Sequence, residues 1–338
     1  MRPASEDDIL AIVSRHFPTG HPALLLDRGD DCAVLRTCGP MAVTTDIFAE
    51  DAHFRRRYFT AFDIGWKALA VNISDVGSSG AKPTGFSIGL TLTGQEDEQW
   101  LEDFCRGMKA LTERFGLAIS GGDLARSSLL NICVTAWGDM PQSLPRGLRR
   151  GVAQEGDVIF LVGCAGLARL GLTLLEQAYT VDDVQNVLCK WPAACGQHLR
   201  PMPLAHEGMA LGDFAVKHGL ADRIGLMDLS DGLARDLPRL LASRKSGLGA
   251  DIRMDGGIIH PEVTAFCAKN GLDASSFAFE GGEDYALLGT CPADAWPKLE
   301  ELLSSFSSPY ASLGTVRPGP VLLEGAAPVS SGFDHFSA

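Results

Sequence analysis

The sequence predicts an α/β (α+β) protein built from two domains. Its 338 residues, of which 46% are hydrophobic, can bury a sizeable core, and a chain of this length favours two domains over one. Segments of strand character alternate with segments of helical periodicity through the first half. Residues 141–151 are then rich in Pro, Gly and Arg without clear periodicity. We therefore place a boundary in this region, with 1–148 as the N-terminal domain and 149–338 as the C-terminal α/β domain.

The elements of the N-terminal half follow from caps and apolar spacing. Ser5 is a typical N-cap residue, and the apolar spacing after it predicts a helix to about Phe17. Amphipathic spacing from Asp97 to Phe115 predicts another helix, which stops at Gly116. The other predicted elements, in chain order, are strands at 33–35 and 41–45, a helix at 63–80, and strands at 86–92 and 129–137.

The C-terminal half gives fewer clear signals. A continuous apolar run predicts a buried strand at 158–163, and helical spacing follows at 167–178. Residues 179–225 show no clear pattern, and a helix is predicted to begin just after Asp231. The remaining predicted elements are strands at 249–254 and 285–290 and a helix at 295–304.

Charge and cysteine content exclude several classes of protein. A net charge of −13 disfavours nucleic acid or an anionic membrane as a partner, because either would need a basic face. The apolar stretches are too short to span a bilayer and the N-terminus lacks a signal-peptide apolar region, so we expect a cytoplasmic location. Nine scattered cysteines without Cys-x-x-Cys spacing favour reduced, mostly buried thiols over a zinc site or a disulfide framework.

Six acidic segments set among small residues recur along the chain, and we expect them to form turns. Glycine lets a backbone approach a ligand closely, and clustered carboxylates repel one another unless cations lie between them. Mg²⁺ is usually held by one or two carboxylates and by phosphate oxygens of a substrate. The pattern therefore indicates a phosphate-handling enzyme that uses magnesium. The segments are Gly29-Asp30-Asp31, Thr44-Thr45-Asp46, Ser74-Asp75, Gly121-Gly122-Asp123, Asp228-Leu229-Ser230-Asp231-Gly232 and Gly281-Gly282-Glu283-Asp284.

Each of these residues also has a structural explanation when it is taken alone. A single Asp in a turn more often bonds its own backbone, and Asp231 before a helical run is also an ordinary N-cap. His53 near Asp46 could act as a base, although a lone His is more often structural. The cluster Arg55–Arg57 fits a solvated loop as well as a group that holds an anionic substrate.

Familiar nucleotide and hydrolase motifs do not occur in the sequence. There is no Gly-x-x-x-x-Gly-Lys-Ser/Thr, no kinase-type glycine loop with its lysine and His-Arg-Asp, and no Gly-x-Ser-x-Gly. Any use of ATP must therefore employ another scaffold.

The acidic segments and the residues next to them follow an order along the chain that resembles the motif order of a known family. The extended motifs are Gly29–Leu35, Thr44–Asp46 followed by His53-Phe54, Lys67–Asp75, Gly121–Asp123, Asp228–Leu233, Gly281–Tyr285 and the closing Gly332–Phe336. Together they resemble the bacterial thiamine-monophosphate kinase family, in the superfamily of aminoimidazole ribonucleotide synthetase. The resemblance covers essentially the whole chain.

The resemblance implies a fold and an activity. The family transfers the γ-phosphoryl group of ATP to thiamine monophosphate, giving thiamine diphosphate and ADP. In its aminoimidazole ribonucleotide synthetase-like fold, the N-terminal ATP- and magnesium-binding domain also forms the dimer, because its sheet completes a barrel across a homodimer. No covalent intermediate and no dedicated acid or base is expected, since an acceptor phosphate oxygen is already nucleophilic.

The resemblance also implies site residues at the matching positions. Thr44 would bind magnesium through its backbone, Glu283 would balance a cationic ring, and Phe333 would stack on an aromatic ring of the substrate. The implied magnesium ligands are Asp31, Thr44, Thr45, Asp46, Asp75, Asp123, Asp228 and Asp231. The implied ATP contacts are Gly122, Asp123, Arg149 and Ser230, and the implied thiamine monophosphate contacts are His53, Glu283 and Phe333.

The chain departs from the family pattern at several positions. Leu124-Ala125 replace two threonines after Asp123, Asp51 precedes the histidine segment, Arg55–Arg57 follow it, and Leu204 replaces a basic residue. These changes lie more on the acceptor side than among the magnesium ligands. Two alternatives therefore stay open: an ATP-dependent kinase or ligase-like enzyme of the same superfamily with a different anionic acceptor, and a non-catalytic nucleotide-binding paralogue.

Overall fold

The computed structural model of the chain describes residues 5–254 and 257–325. It is a mixed α/β structure that divides into two compact units, each with its own main sheet. The first unit comprises Met1–Val76 and Ala81–Pro145, and the second comprises Gly77–Gly80 and Arg146–Ala338. The functional boundary between 148 and 149 stays a prediction.

The first unit is built on a four-stranded sheet. Its elements are α1 (Glu6–His16), β1 (Leu24–Leu26), β2 (Val34–Leu35), β3 (Met41–Ala49), α2 (Ala61–Ser78), β4 (Lys82–Leu92), α3 (Glu98–Phe115), β5 (Ala118–Arg126) and β6 (Asn131–Asp139). The strand order is β3-β6-β4-β5, in which β4 and β5 are parallel and the other neighbours are antiparallel. Strands β1 and β2 form a separate antiparallel pair.

Local sequence explains where α1 and α3 begin and end. Ser5 caps α1 in a reciprocal capping box with Asp8, as predicted. The side chain of Asp97 accepts the N–H of Trp100 at the start of α3. Gly116 ends this helix in the left-handed conformation, with φ of 65°.

Two glycines let α2 and α3 approach at backbone distance. A Cβ atom on Gly65 would lie 2.1 Å from the carbonyl oxygen of Phe104. One on Gly107 would lie 2.1 Å from the carbonyl oxygen of Phe62. Only glycine fits at these two positions, so the crossing fixes α2 against α3.

Strand β3 divides its side chains between two faces of the sheet. Thr44 and Asp46 face α2, because the hydroxyl of Thr44 bonds Asp75 of that helix. Val43 and Ile47 alternate with them, and each is 62% exposed. We call the surface formed by Val43, Thr45 and Ile47 of β3 with Cys133 and Thr135 of β6 the open face of the sheet.

The second unit contains a six-stranded sheet of order β12-β9-β11-β7-β10-β8. Strands β12 and β9 are parallel, and the other neighbours are antiparallel. The elements are β7 (Val158–Val162), α4 (Leu167–Glu176), α5 (Val181–Lys190), α6 (Pro192–Leu199), α7 (Ala205–Lys217), β8 (Gly225–Asp228), α8 (Leu233–Leu240), α9 (Ser243–Ser246), β9 (Leu248–Ile252), α10 (Pro261–Asn270), α11 (Ala274–Phe279), β10 (Leu287–Cys291), α12 (Trp296–Leu303), β11 (Tyr310–Pro318) and β12 (Val321–Leu323).

The core of the second unit lies where β7 and β10 meet α8. Ile159, Leu161, Leu237 and Leu288 are fully buried there, together with Leu229 between β8 and α8. Burying side chains of this size stabilises a fold by about 1.5–3 kcal/mol each. The segment after β8 is therefore anchored from within the core.

Not all of the acidic segments are turns. Thr44, Thr45 and Asp46 lie inside β3, Ser74 and Asp75 lie inside α2, and Gly121-Gly122-Asp123 lies inside β5. A Cβ atom on Gly122 would lie 1.8 Å from the carbonyl oxygen of Ile88 on the neighbouring strand. This glycine is thus required by close strand pairing rather than by a turn.

Two expectations from composition can be compared with the structure. Among the described residues, no helix is long and apolar enough to cross a membrane. All nine cysteines are free thiols, but the prediction that most are buried is wrong, since four are buried and three are exposed. The buried ones are Cys105, Cys195, Cys267 and Cys291.

Candidate functional site

Two carboxylates and a hydroxyl meet where β3 faces α2. The hydroxyl of Thr44 donates to Oδ2 of Asp75 at 2.6 Å. Asp46 follows Thr44 by two residues, so both side chains point to the same face of β3. The side chain of Asp46 also hydrogen-bonds that of Asp75. The structure therefore brings together three of the predicted magnesium ligands.

The proximity of these carboxylates changes the acidity of Asp46. Burial, and then the neighbouring charge of Asp75, raise the pKa of Asp46 to about 6. Two carboxylates in contact cannot both ionise freely, so one holds a proton unless a cation lies between them. Within the described residues, no group of three or more His, Cys, Asp or Glu side chains could hold a metal ion by itself. Phosphate oxygens would have to complete such a site.

Asp123 lies away from this pair within the first unit. Its register row runs from Ile47 through Cys133 and Gly89 to Asp123, across all four strands of the sheet. Asp123 is exposed at the opposite edge and shares the open face, whereas Asp46 points towards α2. Thr45 also lies on the open face, where its hydroxyl is 2.9 Å from that of Thr135.

Asp31 and His53 lie on loops of the first unit. Asp31 is exposed between β1 and β2, and its N–H donates to Oδ1 of Asp30 at 2.8 Å. Nδ1 of His53 accepts the N–H of Ala49 at 3.1 Å. In the neutral ring the proton therefore lies on Nε2.

The structure gives Arg56 a structural role. Its Nε lies 2.7 Å from Oε1 of Glu50, and its Nη2 lies 2.5 Å from Oε1 of the buried Glu96. The guanidinium also lies over the ring of Trp100, 5.8 Å from its centroid. Arg56, the middle residue of the Arg55–Arg57 cluster, thus stabilises the loop through these contacts.

In the second unit, two predicted motifs lie against each other. The N–H of Glu283 donates to the carbonyl oxygen of Ser230 at 2.7 Å, and that of Tyr285 donates to Leu229 at 2.9 Å. A Cβ atom on Gly282 would lie 2.6 Å from the Ser230 oxygen. Glycine is needed here because the two segments touch at backbone distance.

Asp231 is not the N-cap of α8. That position belongs to Gly232, which has no capping side chain, and the buried Asp236 instead accepts the N–H groups of Ser230 and Asp231. Nη1 of Arg239 contacts both Asp231 and Asp236. Burial raises the pKa of Asp236, while the N–H of Asp231 and the charge of Arg239 oppose that rise.

Arg149 and Asp228 occupy separate positions in this unit. Asp228 ends β8 and is buried, opposite Leu287 of β10. Nη2 of Arg149 lies 2.6 Å from Oδ1 of the exposed Asp222, and this contact lowers the pKa of Asp222. A phosphate that binds Arg149 would therefore compete with Asp222.

Glu283 and Asp284 are adjacent in the sequence, but their side chains lie in different surroundings. Asp284 is buried, and its two oxygens accept the N–H groups of Gly166 and Ala168 at 2.6 and 2.8 Å, at the start of α4. Burial raises the pKa of Asp284 to about 7, although these two N–H groups oppose the rise. Glu283 stays partly exposed. Phe333 lies outside the described residues.

Two supporting residues escaped the sequence-based prediction. Asp236 and Asp284 were not proposed as site residues, yet each holds backbone beside a predicted motif. The only sequence signal for Asp236 is its spacing from Arg239 on one helix face. For Asp284 the signal is its place directly after Glu283.

Comparison with known proteins identifies what the chain resembles. The family model of AIR synthase related protein, N-terminal domain, matches residues 29–140. The thiamine-monophosphate kinase of Haemophilus influenzae is 31% identical over 322 residues, which cover 92% of each protein.

Solved structures agree with these similarities. The crystal structure of thiamine-monophosphate kinase from Stenotrophomonas maltophilia matches with a TM-score of 0.77 at 31% identity, covering 95% of this chain and 96% of that one. The structure of AaThiL complexed with AMPPCP and TMP matches with a TM-score of 0.72 at 28% identity, covering 99% of both.

Proposed function

This chain belongs to the thiamine-monophosphate kinase family, and we propose that it transfers the γ-phosphoryl group of ATP directly to the phosphate of thiamine monophosphate. The products are thiamine diphosphate and ADP. A relative of this name covers 92% of the chain, and a structural relative of the family binds AMPPCP and TMP. These similarities support a phosphotransferase whose acceptor is a phosphate group.

The pair of Asp46 and Asp75 with Thr44 is the observation that carries the proposal. Carboxylate oxygens are the ligands that Mg²⁺ prefers, and a shared proton marks a place where a cation would relieve repulsion. Asp46 and Asp75 would hold Mg²⁺ with Thr44, whereas Asp31 and Thr45, whose side chain lies on the open face, remain proposed ligands. Asp123, Asp228 and Asp231 remain proposed ligands. When bound, Mg²⁺ would neutralise charge on the phosphates.

The protein's own residues would then mainly align the two substrates. Arg149 and Ser230, with Gly122 and Asp123, would contact ATP. His53 would donate from Nε2 to the acceptor phosphate, which is supported by Nδ1 being occupied as an acceptor. Because the acceptor oxygen is already nucleophilic, we propose no covalent intermediate and no general base. Glu283 and Phe333 would bind the aromatic rings of thiamine monophosphate.

We also propose that the protein is a homodimer whose sheets meet through the open face. Val43 and Ile47 are exposed there, on the edge strand β3 of the sheet. Exposed apolar side chains aligned on one sheet face are typical of a surface that another protein covers. A second copy is the partner that the family resemblance implies.

The decisive experiment identifies the phosphorylated product of the reaction. Purified protein is incubated with ATP, Mg²⁺ and thiamine monophosphate, and phosphorus NMR identifies the product. We expect thiamine diphosphate and ADP, with no reaction when EDTA is present or when thiamine replaces its monophosphate. Folded protein that consumes no ATP under these conditions would contradict the proposal. A panel of other phosphorylated metabolites tests for a different acceptor, and calorimetry with ATP and Mg²⁺ tests for binding without turnover.

A further inference from the structure

Two consecutive residues near the end of α6 contact two consecutive residues of the Gly281–Asp284 segment. The side-chain amide of Gln197 donates to the carbonyl oxygen of Asp284 at 2.7 Å. Nδ1 of His198 lies 3.1 Å from Oε2 of Glu283. Helix α6 therefore bonds the backbone of the segment and places His198 beside the side chain that the proposed function assigns to the acceptor.

Packing fixes the place of His198. Only 1% of its side chain is exposed. Gly171 of α4 lies directly against it, since an added Cβ would be 2.8 Å from the Cβ of His198 and 2.2 Å from the oxygen of Ala194. The imidazole ring cannot shift without moving α4 or α6, because protein interiors are close-packed.

The backbone holds Glu283 from the other side. Its φ is 64°, a left-handed conformation that costs energy for a residue other than glycine and persists only where the surroundings impose it. Its N–H donates to the Ser230 oxygen at 2.7 Å. The side chain remains 27% exposed, so one carboxylate oxygen lies beside Nδ1 of His198 while the group stays accessible to a ligand.

We propose that His198 is a positioning residue that holds the carboxylate of Glu283 in place for the cationic ring of thiamine monophosphate. This inference rests on the proposed function. A carboxylate that is fixed before binding loses less side-chain entropy when the substrate arrives. Loss of the contact should therefore weaken the binding of the acceptor substrate and leave the binding of ATP unaffected.

The experiment compares His198→Asn with His198→Gln. The amide nitrogen of Asn reaches the place of Nδ1, whereas that of Gln reaches the place of Nε2, so only Asn restores the contact with Glu283. We expect the KM for thiamine monophosphate to rise about tenfold in His198→Gln and to stay within about threefold of wild type in His198→Asn. The KM for ATP stays unchanged in both. His218→Gln, at the C-cap of α7, is the matched control and keeps wild-type constants.

A double-mutant cycle shows whether His198 acts through Glu283. In a Glu283→Gln background, His198→Gln adds no further rise in KM. His198→Ser takes its place in the cycle if thermal unfolding shows that His198→Gln does not fold. Equal KM values for the Asn and Gln variants, or additive effects in the cycle, would overturn this inference and leave the proposed function intact. Folded wild-type protein that does not phosphorylate thiamine monophosphate overturns the proposed function, and this inference with it.

Discussion

At the scale of single residues, Asp46 and Asp75 are the groups whose loss should matter most. Replacing either with Asn keeps the side-chain volume but removes one charge from the proposed magnesium site. We expect kcat with thiamine monophosphate to fall at least about 100-fold, which corresponds to about 2.7 kcal/mol. Asp213→Asn, an exposed substitution in α7, is the matched control. Full activity of a folded Asp46→Asn variant would contradict the assignment.

The acidity of Asp46 makes a separate prediction about pH. Its folded-state pKa is about 6, above the ordinary 3.8, so the metal-free folded protein binds the extra proton. This group therefore favours folding at low pH, and the benefit is lost as pH rises through 6. The affinity of the pair for a cation should instead rise with pH, because the proton and the cation compete for the same carboxylates. Electron paramagnetic resonance with Mn²⁺ in place of Mg²⁺ should show about tenfold weaker binding at pH 5 than at pH 7.5.

The control for this pH dependence is Asp46→Asn, which removes the titrating group. Its Mn²⁺ affinity is expected to be low at both pH values and to change little between them. Wild-type affinity that is the same at pH 5 and pH 7.5 would show that the pair does not bind the cation.

The sequence pattern identifies the two carboxylates that the structure brings together better than it identifies the acids with structural roles. Asp46 and Asp75 stand in a pattern of ordered motifs, and the structure places them together. Asp284 accepts backbone N–H groups of Gly166 and Ala168, which lie far from it in the sequence, and Asp236 accepts those of Ser230 and Asp231, which precede its helix. Such roles depend on tertiary contacts, which no local pattern encodes.

At the scale of elements, strong local signals located the helices with caps. Helix α1 with its Ser5 capping box and α3 between Asp97 and Gly116 agree with the prediction. Strand β5 was missed, because two glycines and an aspartate in its middle are residues that strands disfavour. Its pairing with β4 overrides this local preference.

Two adjoining helices account for the first part of the unpredicted stretch after residue 179. Trp191 is at once the C-cap of α5 and the N-cap of α6, so no loop separates the two helices. Helices α5 and α6 follow each other directly, and the eight residues of α6 offer too few turns for a clear apolar period. Their positions are set by packing, such as the contact of Gly171 with Ala194.

The glycines between α2 and α3 give the prediction at this scale. In Gly107→Ala, the new methyl group would lie 2.1 Å from the carbonyl oxygen of Phe62, so the helices must separate. We expect a loss of about 1–3 kcal/mol, measured by urea unfolding and calorimetry. Gly196→Ala in α6 has nothing within 4 Å of its added Cβ and should be neutral or gain up to about 1 kcal/mol. Equal stability of the two variants would contradict a close helix crossing.

At the scale of the whole molecule, the evidence for function is spread unevenly along the chain. The family model covers 29–140, whereas the Haemophilus influenzae relative covers 92% of the chain and the Stenotrophomonas maltophilia structure 95%. The magnesium proposal therefore rests on side-chain geometry in the first unit together with similarity. The acceptor proposal rests on His53 of the first unit and on the Glu283 region of the second unit, and the chain also departs from the family pattern in the second unit, at Leu204.

Self-association through the open face of the sheet is the remaining prediction. Ile47→Lys places a charge on an apolar side chain that is 62% exposed in the single chain, so it should not unfold the unit but should repel a second copy. Sedimentation equilibrium should give wild-type protein about twice the 36.0 kDa chain mass and the variant close to one chain mass. Val181→Lys, which is 75% exposed on α5, is the matched control and should stay dimeric. A wild-type monomer, or a variant that still dimerises with wild-type affinity, would mean that another surface or no surface serves this role.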